Sequence, residues 1–359
     1  MRVLALCPYP LEGPSARYRT YNFERPLARQ GVTLDIRPFM TRELYFRWMR
    51  HRRLDLPTLG ALLLASARRL TDLLRAGQYD AVWVHRQTAP AFHPLFDRLL
   101  MRRARRIVFD MDDSVFTEYP IDELLRGSVA ATVGNSYLAR YVELVAPQTR
   151  ALVVPTVIDP EVYQPRVLPA QPRREDSRVT VGWIGTGASF RNYLARVLPR
   201  LAETCRAQGA ELNVIASPDV RAEVEEHGAR FTEWTLDGYL AELGAIDIGI
   251  MPLRDDDYVR GKCAFKLIEY GALGLPSVAT DLGANREVVL DGETGFLAQS
   301  DEEFCARLTD LIRDADLRRR LGEAARARVL SHYTLDRQAE VVAELLRSLD
   351  HQPGREKKE

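Results

Sequence analysis

The sequence predicts an α/β protein of two tandem domains, each a parallel sheet flanked by helices. Three observations predict it. Short apolar runs alternate with amphipathic stretches along almost the whole chain. That alternation is interrupted once, near residues 166–178, by two prolines and a charge run. The length, 359 residues, suffices for two cores. Sheets of this kind bind ligands at the carboxyl ends of their strands, so a deep cleft between the domains is the expected place for a site.

The elements follow in order. Val3–Cys7, Val32–Ile36, Ala81–His85, Ile107–Phe109, Ala130–Val133 and Leu152–Val154 read as buried strands. They are apolar on both faces, as in a parallel sheet covered on each side. A helix is expected over Ser15–Gln30, ending at Gly31, because glycine tolerates the left-handed turn that stops a helix. After the linker the strands are Val179–Ile184, Leu212–Ala216, Ile246–Met251 and Ser277–Ala279. A helix near Ala264–Leu273 stops at Gly274-Leu275-Pro276, and a last helix runs from Tyr333 to Leu349. The expected division is 1–165, a linker at 166–178, 179–350, and a disordered tail at 351–359. The last helix belongs to the second domain or packs back on the first.

Composition narrows the class. No stretch of about 18 apolar residues exists, so no membrane-spanning helix is expected. Met1–Cys7 runs into a polar turn and fits a first strand better than a signal peptide. The four cysteines, Cys7, Cys205, Cys263 and Cys305, form no CxxC pair, so neither a disulfide framework nor a zinc site is suggested. A cytoplasmic location follows. The net charge is zero, but residues 1–170 hold 24 Arg against 17 acidic residues, and the rest 26 basic against 33 acidic. Arg47, Arg50, Arg52 and Arg53 and the cluster Arg102, Arg103, Arg105 and Arg106 carry much of that excess. They are either solvated helix faces or a peripheral contact with an anionic membrane at its inner face. No nucleic-acid partner is expected.

Lysine is the most selective residue. Only four occur, and Lys262 and Lys266 stand in Gly261-Lys262-Cys263-Ala264-Phe265-Lys266-Leu267-Ile268-Glu269. An ammonium is a point charge suited to phosphate, whereas arginine presents a planar fork. The segment follows a strand and opens a helix, whose free N–H groups and dipole favour an anion. Backbone there comes from Lys262, Cys263, Ala264 and Phe265. Glu269, one turn past Lys266, suits a ribose diol; an ion pair with Lys266 is the plainer reading.

Lys266–Thr280, Gly283–Val289 and Asp291–Leu297, with Val133-Gly134-Asn135-Ser136 and Val154–Asp159, resemble the GT-B glycosyltransferases, in particular family 4 (glycosyl transferases group 1). The resemblance covers nearly all of the second domain and scattered parts of the first. It implies two Rossmann-like domains, the second holding a nucleotide diphosphate sugar, UDP- or GDP-linked, as donor substrate. No metal or other cofactor is implied. In that family two glutamates eight residues apart flank the donor. Glu269 matches the second, which recognises ribose; the first falls on Gly261. Lys262 and Lys266 are then candidates for stabilising the leaving group. Arg191 lies near the family's lysine and Thr186 where its arginine falls, and the Gly185-Thr186-Gly187 turn offers N–H groups to phosphate.

The first domain is expected to bind the acceptor. Gly13, Ser15, Arg17 and Arg19 lie in a Gly/Pro loop and a basic helix start, while His85 and Arg86 end the third strand. Ordinary exposed arginines and a packed histidine are equally consistent. Asp110, Asp112 and Asp113 end the fourth strand; relatives often carry histidine where Asp110 falls, near the reacting sugar. Asp110 is therefore expected in the cleft as a catalytic residue, and Asp112 or Asp113 as a helix cap. The activity implied is sugar transfer to a hydroxyl with retention, in glycan or surface polysaccharide assembly. The acceptor is a saccharide, a lipid-linked sugar or a small molecule. A silent nucleotide-sugar binding protein, an epimerase on the same fold and a membrane-docked scaffold are the alternatives.

Overall fold

A computed structural model describes residues 1–51, 54–90, 93–164 and 178–349. The chain divides into two compact units. The first comprises Met1–Val157, Gly261–Cys263 and Leu335–Glu359; the second comprises Ile158–Arg260 and Ala264–Thr334. The boundary therefore falls at residue 157, earlier than the expected linker, most of which lies outside the described residues, as does the tail. The helix Leu335–Leu349 counts with the first unit, one of the two placements expected for it.

In the first unit six parallel strands run β1 (Arg2–Cys7), β2 (Thr33–Pro38), β3 (Ala81–His85), β4 (Ile107–Met111), β5 (Ala130–Val133) and β6 (Arg150–Val153). Their spatial order is β2-β1-β3-β4-β5-β6, with Ala5 facing Ile36 on one side and Trp83 on the other. Successive side chains of a strand enter opposite faces, so two cores form. Leu4, Leu6, Val82 and Val84 pack on one face, while Val3 and Trp83 pack on the other with the helix Leu335–Leu349. The helix expected over Ser15–Gln30 is two: Pro14–Arg19 and Glu24–Arg29, separated by a single 3₁₀ turn. Pro26 explains the break, because its ring has no N–H and would meet the carbonyl four residues earlier.

In the second unit the strands are β7 (Thr180–Ile184), β8 (Glu211–Ala216), β9 (Arg230–Glu233), β10 (Ile248–Met251), β11 (Ser277–Thr280) and β12 (Phe296–Ala298). They pair in parallel in the order β12-β11-β10-β7-β8-β9. Strands β9 and β12 were not expected from sequence. Arg-Phe-Thr-Glu at the sheet edge is half-exposed and mixed in polarity, and β12 is three residues long. The helix Phe265–Ala272 lies close against β10. A Cβ on Gly249 would come within 2.2 Å of the Tyr270 ring, so that approach requires glycine. The chain then reverses at Gly274, φ 73°, where Leu275 N donates to Tyr270 O.

Candidate functional site

In the second unit, Glu269 is buried at 5% exposure on the helix Phe265–Ala272. Its Oε1 accepts a hydrogen bond from Tyr163 Oη at 2.8 Å, and Tyr163 and Tyr239 share a hydroxyl contact of 2.9 Å. Tyr239 stacks on Trp234. The carboxylate is thus held by a tyrosine relay. Lys266 Nζ stands 5.3 Å from the centre of the Trp183 ring, over β7. Because β7 and β10 are neighbours and parallel, their carboxyl-end loops share one sheet edge, where Phe265–Ala272 begins. That helix has no side-chain cap: Ala264, the residue before it, adopts a left-handed backbone with φ 52°. A non-glycine there is strained, a feature common at ligand sites. Ala264, Phe265, Lys266 and Glu269 therefore form one surface with uncapped helix N–H groups, a cation and a carboxylate. Tyr163, Tyr239 and Trp183 complete it; nothing in their spacing singles them out in the sequence.

The turn at Gly185–Gly187 differs from expectation. Gly185 N donates to Ile215 O, and Gly187 N donates to Ser217 Oγ. Thr186 Oγ1 accepts from Ser189 N and so caps its own short helix. The expected phosphate donors at Gly185 and Gly187 are committed to β8 and the loop after it. Arg191 is likewise engaged, donating from Nη2 to Asp219 Oδ2 at 2.8 Å, with Glu223 at 3.7 Å from its Nε.

Gly261, Lys262 and Cys263 cluster with the first unit. Asn135, which caps the helix Ser136–Val145 through Leu138 N, donates its amide Nδ2 to Gly261 O and Lys262 O. A Cβ at Gly261 would lie 2.0 Å from Ser114 Oγ and 2.9 Å from Ser114 N. No side chain fits, so the missing first glutamate is excluded sterically.

In the first unit the expected acceptor residues converge on one polar network. Asp110 is completely buried at the end of β4, and this overturns the expectation that it lines a cleft. Its carboxylate accepts from Arg19 and from Thr132 Oγ1, and lies 2.7 Å from His85 Nδ1. Burial alone would push this carboxyl up; the Arg19 guanidinium and the His85 hydrogen bond outweigh it and hold it below the usual carboxylate range. Arg19 is equally buried and also donates to Val154 O. Asp112 and Asp113 are not helix caps. Arg86 donates Nε to Asp112 and Nη2 to Asp113, both at 2.7 Å. Burial opposes the charge on Asp112, but Arg86 and His85 hold its carboxyl well below the ordinary range. Arg86 pays with a left-handed backbone, φ 63°. Ser15 Oγ closes the network, 2.7 Å from both His85 Nε2 and Asp112 Oδ2. Gly13 leads into the helix, its carbonyl accepting from Arg17 N. The Arg17 guanidinium lies over the Tyr18 ring, 4.9 Å from its centre, and its Nη1 is buried with no hydrogen-bond partner among the described residues.

Comparison with known proteins defines the class first. The fold is that of the GT-B glycosyltransferases. A glycosyltransferase from Rickettsia africae matches over 98% of this chain and 99% of its own, with TM-score 0.70 and 14% identity. Sucrose-phosphate synthase from Thermosynechococcus elongatus matches over 98% and 99%, TM-score 0.70 and 15% identity. Anabaena HepE in complex with UDP and glucose matches over 97% and 100%, TM-score 0.67 and 15% identity. Within the second unit's part of the chain, residues 178–314 match the model described as glycosyl transferases group 1. The chain thus has the GT-B fold, and residues 178–314 of it are similar to the group 1 glycosyl transferases. Spore coat protein SA of Bacillus subtilis is 31% identical over 72 residues, and the match spans 19% of this chain and 19% of that protein. No helix among the described residues is long and apolar enough to cross a membrane.

Proposed function

We propose that the chain transfers a sugar, with retention, from a nucleotide diphosphate sugar to an acceptor hydroxyl. One observation carries the reading: the buried Glu269 carboxylate, oriented by Tyr163, one turn from Lys266 at an uncapped helix start. Glu269 then accepts hydrogen bonds from a ribose diol. Helix N–H groups and Lys266 meet the diphosphate and stabilise the charge that grows on it as the glycosidic bond breaks. HepE, of the same fold, is a complex with UDP and glucose, which supports a UDP-linked donor here. In the first unit Arg17, with its unpartnered Nη1, is the proposed contact for an anionic acceptor, while Arg19, His85 and Asp110 hold the framework around it. No resident metal or cofactor is proposed.

Gly261 favours a second reading. With no side chain tolerated there, the chain lacks the family's sugar-facing glutamate, which fits a nucleotide-sugar binding protein that does not release its sugar.

Calorimetric titration with UDP, GDP and their glucose and mannose conjugates tests both. Saturable binding is expected, weakened by more than about 1 kcal/mol in Glu269→Ala, a typical hydrogen-bond contribution. Absence of nucleotide binding would overturn both readings; tight binding without nucleotide release in the presence of acceptors would leave the second.

A further inference from the structure

The helix Leu56–Arg75 in the first unit is inside out. The residues turned inward include Thr58, Ala65, Ser66, Arg69 and Leu73. Outward stand Leu56, Leu59, Leu63, Leu64, Leu70 and Leu74, from 41% exposed at Leu70 to 86% at Leu56. Their spacing is the helical repeat, and Gly60 and Ala67 fill the turns between them, so the leucines make one continuous stripe. At 1.5 Å per residue the stripe runs about 27 Å. Single exposed leucines carry no message; six along one face are an interaction surface.

The inversion is anchored. Arg69 is 1% exposed, and its Nη2 donates to the carbonyls of Cys7 and Arg37 at 3.1 and 2.8 Å, at the ends of β1 and β2. Asp72 lies beside the same guanidinium. At the other end Asp55 caps the helix through Thr58 N. Rotating the stripe inward would carry Arg69 away from the Cys7 and Arg37 carbonyls and leave both without that donor.

The charges on the rim indicate the occupant. Arg68 and Arg75 border the stripe; on the preceding helix, Arg42–His51, which packs against it, exposed Arg42 pairs with Glu12 at 3.1 Å and exposed Arg47 lies 3.9 Å from Asp55. That helix adds exposed Phe46 and Met49. The exposed acids on the described parts of these helices and their junction are Glu43 and Asp55. A second copy of the chain would bring the same positive rim against this one. Leucine is also under-represented in the hot spots of protein interfaces. An apolar stripe edged by arginine suits anionic lipid, with acyl chains under the leucines and phosphates at the guanidiniums.

We propose that Leu56–Arg75 is a lipid-docking helix lying in the plane of an anionic bilayer surface. The proposal does not rest on the transferase reading; together they place the acceptor at a membrane.

Co-sedimentation of the full chain with phosphatidylcholine vesicles, with and without phosphatidylglycerol, tests it. Wild type is expected to pellet with the anionic vesicles, and salt to weaken this without abolishing it. The double variant Leu63→Glu/Leu70→Glu is expected to lower the apparent lipid affinity about tenfold or more, because it removes two apolar side chains from the contact. Arg68→Glu/Arg75→Glu should lose the preference for anionic lipid. Circular dichroism melts of both variants should follow wild type, since all four side chains are exposed. No binding to either vesicle, or binding indifferent to the leucine changes, would overturn the proposal. So would a dimer in sedimentation equilibrium that the leucine variant dissociates, because the stripe would then belong to a second copy. Nucleotide calorimetry on the same samples reads the donor site separately, so either result can fail alone.

Discussion

Asp97 and Asp110 are both buried carboxyls in the first unit, and their surroundings drive them in opposite directions. Asp110 meets the Arg19 guanidinium and a hydrogen bond with His85 and is held low; its contribution to stability is present above the ordinary carboxylate range and lost as pH falls through its depressed value. Asp97 has Thr88 for a hydrogen-bond partner, and burial pushes its carboxyl up to about 7. The folded state therefore keeps a proton that the unfolded chain releases near the ordinary value of 3.8. Between those values the native state binds more protons, so stability falls as pH rises. Asp97→Asn should remove that slope. It is expected to be more stable than wild type at about pH 8, by up to about 4 kcal/mol, and to lose the advantage near pH 4. Urea midpoints at both pH values measure it; equal shifts at the two would contradict the assignment. Sequence gave no warning of this difference. Both residues are buried aspartates, and Asp110 has beside it a guanidinium brought in from a distant segment.

At the scale of elements, the helix Phe265–Ala272 does the positioning. Tyr270 packs flat against β10 at Gly249, and that contact sets where Glu269 and Lys266 stand. Gly249→Ala should push the helix away, costing about 1–3 kcal/mol as overpacking. Nucleotide affinity is expected to fall with it, although the substitution touches no ligand. Thermal melts and calorimetry on the same protein check both, and a stable variant with unchanged affinity would separate the helix from the site. This element was legible: its strand-to-helix entry, lysines, glutamate and glycine stop are local signals. The helix Leu56–Arg75 was not singled out in the sequence, which shows only amphipathic stretches between the strands. Strands β9 and β12 were illegible, because an edge strand needs no apolar run and a three-residue strand carries no period.

At the scale of the molecule, the two units have separate cores, so unfolding is expected to proceed by more than one transition. A nucleotide bound in the second unit should raise only the transition that carries it. At a hundredfold excess over the dissociation constant the gain is about 2.7 kcal/mol, or several degrees for a unit of this size. Differential scanning calorimetry with and without UDP or GDP measures it. A shift confined to the first unit's transition, or no shift, would move the donor site elsewhere or remove it.

The sequence by itself determined the alternation that makes two parallel sheets, the lysines and glutamate at one helix start, and the glycine where a glutamate is usual. These are local facts: period, spacing and backbone freedom are properties of neighbouring residues. Only the tertiary structure decided that Asp110 is sealed by Arg19 and His85, that Arg191 belongs to Asp219, and that Leu56–Arg75 turns its leucines outward. A hydrophobic period reports that a helix has two faces but not which one is covered. The covering partners are carbonyls and carboxylates brought in from far along the chain, and a buried arginine that finds them can outweigh a row of leucines.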